Sequence, residues 1–136
     1  MRGEREHPDA VAYQRMADAF RAGDMDTLAE LFDEDVIWHI PGTSALAGEI
    51  HGRDALWRWF ERLRDATNGT FTLEDHDILA TDDHVVALNV MSVVRDGAPI
   101  SVNVVNVMHF RNGRQQERWF HPSDALAWDR LLGGPT

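Results

Sequence analysis

Two stretches of this chain, Val85 to Val94 and Ile100 to Phe110, carry apolar residues on both of the faces that a β-strand presents. A strand with one solvated face alternates apolar and polar positions, so this pair predicts a sheet covered on both sides. One side must face the chain's own helices and whatever cavity they enclose. The other, with Val86, Leu88, Val90 and Val94 beside Val105 and Val107, is expected to meet a partner, most simply a second copy of the chain. Turn signals at Asp82-Asp83, Asp96-Gly97 and Asn112-Gly113 divide the surroundings into strands near 71–81, 84–95, 99–111 and 114–121, an antiparallel meander.

The first half of the chain reads as helical. Tyr13, Met16, Ala17 and Phe20 recur at helical spacing between Pro8, suited to a first turn, and Gly23, suited to a stop. Asp24 can cap a second, shorter helix whose Leu28, Leu31 and Phe32 share a face. Val36 to Ile40 is β-prone and ends at Pro41-Gly42. A segment through Gly48 then leads to Gly52 and a third helix marked by Leu56, Trp59, Phe60 and Leu63, with Trp57 off the stripe. Ser123 can cap a last helix that turns Ala125, Trp128 and Leu132 inward. One domain over 8–132 is expected, with 1–7 and 133–136 as flexible termini.

Composition removes several functions. The chain has no cysteine, which excludes disulfides and thiolate chemistry, and its net charge of −10 repels phosphate backbones and anionic membrane surfaces. No partner nucleic acid or membrane is therefore expected. All 13 basic residues are arginine, so no lysine is present to form a Schiff base. With no apolar run of about 20 residues and a charged start, the expected localisation is cytoplasmic. The acidic histidine clusters Asp75-His76-Asp77 and Asp82-Asp83-His84 match no metal-ligand spacing and read as solvated turns, so no metal and no cofactor is expected.

Ala22-Gly23-Asp24 followed by Leu31-Phe32, the run Asp35-Val36-Ile37-Trp38-His39-Ile40-Pro41-Gly42, then Gly52-Arg53-Asp54-Ala55, and Val102 to Phe110 with Asn112-Gly113-Arg114 together resemble the nuclear transport factor 2-like superfamily. This superfamily holds steroid Δ-isomerases, limonene-epoxide hydrolases and SnoaL-like polyketide cyclases. The resemblance covers roughly residues 9–132. It implies an α+β, cone-shaped, cystatin-like fold in which a curved antiparallel sheet wraps the N-terminal helices around a central pocket. It also puts Ile40 where the isomerases keep an aspartate base, and Met16 where they keep an oxyanion-hole tyrosine. Asn106 falls where they keep a protonated aspartic acid. Relative to the epoxide hydrolases, Asn89 and Met91 replace an arginine and an aspartate, and His121 replaces a second aspartate. That position carries the acid/base aspartate of the SnoaL-like cyclases.

Strand alternation groups Trp38 with Ile40, Asn89 with Met91, Val104 with Asn106 and Met108, and Glu117 with Trp119 and His121; the resemblance implies that these sets face the cavity. The expected catalytic residues are His121, whose imidazole can move a proton near neutral pH, and Asn106, whose amide can donate to a developing oxyanion. Trp38, Ile40, Met16, Phe20, Asn89, Met91, Val104, Met108 and Trp119 are expected to hold the ligand. His121 can instead merely end its strand, and Asn106 can bond within the protein. The reading is a cofactor-independent enzyme performing cyclisation, isomerisation or dehydration on an apolar, oxygenated small molecule. Its competitor is a non-catalytic binding or interaction domain with the same pocket. The Pro41-Gly42 to Gly48 segment is expected at the cavity mouth.

Overall fold

The computed structural model describes residues 7–134; the rest of the two termini, 1–6 and 135–136, lies outside the described residues. The elements run α1 (Pro8–Ala22), α2 (Met25–Leu31), β1 (Phe32–Ile40), β2 (Gly48–His51), α3 (Arg53–Ala66), β3 (Thr72–Ala80), β4 (Val85–Arg95), β5 (Ala98–Arg111), β6 (Arg114–Pro122) and α4 (Ala125–Leu131). The fold is α+β, with one curved six-stranded sheet in the order β2-β1-β6-β5-β4-β3.

Local chemistry accounts for the helix ends. His7 caps α1 by accepting from the Asp9 amide, Pro8 occupies its first turn, and Gly23 closes it at φ 69° in the left-handed region. Asp24 caps α2 through the Thr27 amide. The last helix is capped by Asp124 rather than Ser123, and its Trp128 and Leu132 turn inward, whereas Ala125 is exposed. Leu56, Trp59 and Leu63 bury one stripe of α3 against β1, and Trp57 is half-buried beside it.

The segment from Pro41 to Ala47 does not form a mouth, contrary to the expectation. Thr43 donates its amide and hydroxyl to Asp129, the Trp128 indole donates to the Pro41 carbonyl, and the Trp59 indole donates to the Leu46 carbonyl. Gly42, at φ 104°, has the Asp129 carboxylate where a Cβ would stand, so glycine alone lets the chain pass. The segment is a strap that ties α3 to α4. Beyond it, where the sequence predicts only loop, lies a short strand, β2, which pairs with β1 through Ile37–His51 to Ile40–Gly48.

The meander follows the turn signals, with two departures that decide the site. Between β3 and β4, Asp75 pairs with Asn89 and Asp77 with Leu88, which leaves His76 as an extra residue. Between β5 and β6, Phe110 pairs with Gln115 and His109 with Glu117, which leaves Gln116 extra. Each is a β-bulge, and a bulge reverses the inward and outward assignment of every residue beyond it. The inner face of β6 therefore carries Gln115, Arg118 and Phe120, all buried, while Glu117, Trp119 and His121 lie on the outer face.

Candidate functional site

Helices α1 to α4 and the inner face of the sheet enclose an apolar cavity of about 50 Å³. Helix α1 contributes Tyr13, Met16, Ala17 and Phe20, α3 contributes Trp59, Phe60 and Leu63, and the sheet contributes Phe32, Trp38, Leu73, Met91, Arg118 and Phe120. Trp128 and Leu132 close the far end. The aromatic rings interlock edge to face: Trp38 lies 5.6 Å from both Trp59 and Phe60 and 5.1 Å from Phe120. A void of about 150 Å³ is needed for a benzene-sized guest. The cavity is smaller than that.

Outside it lies a cleft of about 800 Å³ that shares Phe20, Leu28, Phe60, Leu63, Phe71 and Leu73 with the cavity lining. Phe20 stands between, 5.4 Å from Phe60 and 6.1 Å from Phe71, both edge to face. These three half-buried rings stand between the cavity and the cleft.

The polar groups at the cavity are few. Arg118 is 4% exposed, and its Nε and Nη2 donate to the Asn106 Oδ1 at 3.2 and 2.8 Å. Its guanidinium carbon sits 4.6 Å from the Phe120 ring centre, 5.0 Å from that of Trp38 and 5.8 Å from that of Tyr13, a cation held among aromatic faces. Burial pushes its pKa down, but a guanidinium is basic enough to remain a cation at neutral pH. The Tyr13 hydroxyl donates to the Asp75 Oδ1 at 2.9 Å, and the Asp75 Oδ2 accepts from Arg21 at 3.1 Å. Burial first, and the neighbouring Asp75 carboxylate after it, push the Tyr13 phenol up to about 12, against the opposing pull of Arg118. Asn89 donates weakly to Asp75 at 3.5 Å, and its Oδ1 has no partner among the described residues.

Several sequence assignments change. His121 is exposed on the outer face, opposite Val105, so it cannot move a proton in this cavity. The extra residue at Gln116 is the reason: in a regular hairpin, alternation from the inward Gln115 would have turned Glu117, Trp119 and His121 inward. Trp119 stacks on His39 at 5.1 Å on the outer surface and is no part of the pocket wall. Asn106 is fully buried, but its Nδ2 donates to the Ala87 and Val104 carbonyls while its Oδ1 holds Arg118, so the amide is an anchor and offers a ligand nothing. Trp38, Met16, Phe20 and Met91 do line the cavity, whereas Ile40, Asn89, Val104 and Met108 are buried behind its wall.

Tyr13, Asp75 and Arg118 were missed. Tyr13 lies one helical turn before Met16, where the isomerases' tyrosine was looked for. Asp75 was read as part of a solvated turn, but its side chain is 9% exposed and faces Tyr13. Among the described residues no cluster of three or more metal-ligating side chains forms. No helix among them is long and apolar enough to cross a membrane.

Comparison with known proteins agrees with this architecture. The SnoaL-like domain family matches residues 13–118, and the chain belongs to that family. Bal32a, from a soil-derived mobile gene cassette, is 37% identical with a TM-score of 0.86, over 92% of this chain and 96% of its own. IdmH, a putative polyketide cyclase from Streptomyces antibioticus, is 23% identical with a TM-score of 0.73, over 93% of this chain and 99% of its own. TerC, co-crystallized with polyporic acid, is 19% identical with a TM-score of 0.81, over 92% of this chain and 98% of its own. The last two likenesses establish the fold. No curated protein sequence matches the chain.

Proposed function

We propose that the chain is a cofactor-independent SnoaL-like enzyme that moves protons on an apolar, oxygenated small molecule, polyketide- or terpenoid-like, in cyclisation, isomerisation or dehydration. The observation that carries this reading is that Arg118 and Tyr13, from separate elements, line one aromatic cavity, with Asp75 bonded to the Tyr13 hydroxyl beside it. In a site otherwise without water-like groups, a cation stabilises negative charge as it develops on a substrate oxygen far better than it does in solvent. The Tyr13 hydroxyl, kept neutral and bonded to Asp75, can take a substrate proton as it hands its own to the carboxylate, so that Asp75 is the base and Tyr13 the relay. These groups replace His121 and Asn106 in the expected mechanism.

One observation favours the competing reading, a binding domain without chemistry: Asp75 is also bonded by Arg21 at 3.1 Å, so its second oxygen is already used within the protein. Deuterium exchange separates the two. Apolar enolisable ketones such as tetralones are incubated with the protein in deuterated buffer and followed by mass spectrometry. Enzyme-dependent exchange that Asp75→Asn abolishes supports the enzyme. Tight binding with exchange no faster than buffer leaves the binding domain.

A further inference from the structure

Arg118 is the most buried base in a chain that carries 23 acidic residues, yet among the described residues none of those acids comes within salt-bridge distance of it. Its two hydrogen bonds both end on one neutral acceptor, the Asn106 oxygen, and its other contacts are aromatic faces. Asp75, the nearest interior carboxylate, is already shared among Tyr13, Arg21 and Asn89. Arg21 pairs with Asp18 as well as with Asp75, so the nearby aspartates are matched to Arg21 while Arg118 itself has no acid at salt-bridge distance.

A buried charge without a counter-charge is costly, and an apolar side chain of similar volume would be as stable or more so. The guanidinium must therefore serve something other than the fold. The lining shows where its remaining donors can be used. The indole N–H groups of Trp38, Trp59 and Trp128 all donate to protein oxygens, and the Tyr13 hydroxyl donates to Asp75. Arg118 is a lining residue whose Nε and Nη2 are bonded to Asn106 and whose other polar neighbour is the neutral Tyr13 hydroxyl, so the rest of its donor capacity is what a ligand in the cavity can use.

We infer that Arg118 is an anion subsite, and that the molecule taken by this cavity is a largely aromatic or aliphatic body bearing one negatively charged, delocalised oxygen group: a carboxylate, or the anion of an acidic enol or phenol. The inference rests on the cavity being the ligand site. It sharpens that reading by ranking an anion ahead of a neutral molecule of the same shape, including the enolate of a ketone ahead of the ketone itself. The planar group matches the guanidinium fork, and the ligand supplies the missing counter-charge.

The test is calorimetric titration at neutral pH with two matched pairs: naphthoate against naphthamide, and the hydroxynaphthoquinone anion against its methyl ether. In the unaltered protein at least one anion is expected to bind at least about tenfold more tightly than its neutral partner, the pair that shows this distinguishing carboxylate from enolate. Arg118→Met should remove that preference and leave the neutral compounds within about twofold. The double variant Arg118→Met/Asn106→Leu leaves no orphaned amide and repeats the measurement if the single variant folds poorly. Equal binding of both members of each pair, or a preference that survives in either folded variant, overturns the anion subsite while leaving the cavity intact. If Ala17→Leu, which fills the cavity, changes no affinity, or if none of the four compounds binds, the cavity reading fails and the subsite with it.

Discussion

On the inner face of the sheet the polar groups are few, buried and engaged with one another. On the outer face they are many, hydrated and rich in imidazole. There His39 bonds Glu117 at 2.6 Å and Glu49 at 3.3 Å, stacks on Trp119, and continues through His109 to His84. Residue type alone would assign the chemistry to this outer row. The proposed chemistry lies instead on the inner one, because a charge acts strongly where water is excluded and weakly where it is screened. Arg118 and Asp75 are ordinary residues made consequential by where two bulges point them.

The contrast can be broken by substitution. The largest effect is expected at Asp75: Asp75→Asn should lower turnover by roughly 10²–10⁴-fold with folding retained, measured as deuterium exchange on a responsive ketone. An unchanged rate would remove the inner face from the mechanism. Next in size, Asn106→Leu should destabilise the protein by about 2–4 kcal/mol in chemical denaturation, since it strips the cation of its acceptor. Arg118→Met should recover much of that loss in the double variant, and additive losses would show that the two residues are not coupled.

Tyr13 offers a probe without a substrate, because it is the chain's sole tyrosine. Its phenol, ordinarily near 10, is raised to about 12 in the folded protein, so the folded state holds its proton more tightly than the unfolded one. The corresponding stability, on the order of a few kcal/mol, is fully present below pH 10 and is lost as the pH rises to about 12. Ultraviolet titration should follow this ionisation directly, and Tyr13→Phe should flatten the alkaline stability profile. Ionisation near 10 in the folded protein would show that the ring is hydrated.

The outer face is proposed to bind a second copy of the chain. Val94 and Val105 are 46% and 41% exposed, and Val86, Leu88, Val90 and Val107 lie half-buried around them. Val105→Asp should shift dimer dissociation by about tenfold or more in sedimentation experiments, and a monomer at micromolar concentration in the parent protein would count against the proposal. The smallest effect belongs to His121→Ala, expected to change stability by no more than about 0.5 kcal/mol and the deuterium-exchange rate not at all. A large loss of activity there would put the outer face back in contention.

Much of the fold was legible in the sequence. Helix caps at Asp24, the stop at Gly23 and the three hairpin turns are local signals, and the structure follows them. The site was less legible, because its two charged residues are placed by bulges at His76 and Gln116 that no glycine or proline announces. Counting back by two from the apolar Ile78 gives His76 and Glu74 as inward residues, yet Asp75 is the one that turns in. On β6 the neighbours Trp119 and Phe120 are both aromatic, so hydropathy could not choose between the two parities. A charged residue such as Arg118 is also the last type that alternation would assign to a core. Strand β2 escaped notice because its four residues, Gly48–His51, carry one apolar side chain.

The bulges also bear on how this family's sequences should be aligned. Removing Gln116 would restore simple alternation along β6 without exchanging its faces, because Phe110, His109 and Met108 would keep Gln115, Glu117 and Arg118 as partners. Straightening the strand with Gln116 retained would do the opposite, sending Arg118 and Phe120 to the surface and bringing Trp119 and His121 to the cavity. Among relatives, a one-residue gap just after the β5–β6 turn is accordingly the loss of a bulge that leaves the pocket's arginine in place, and ungapped counting across it pairs the wrong faces.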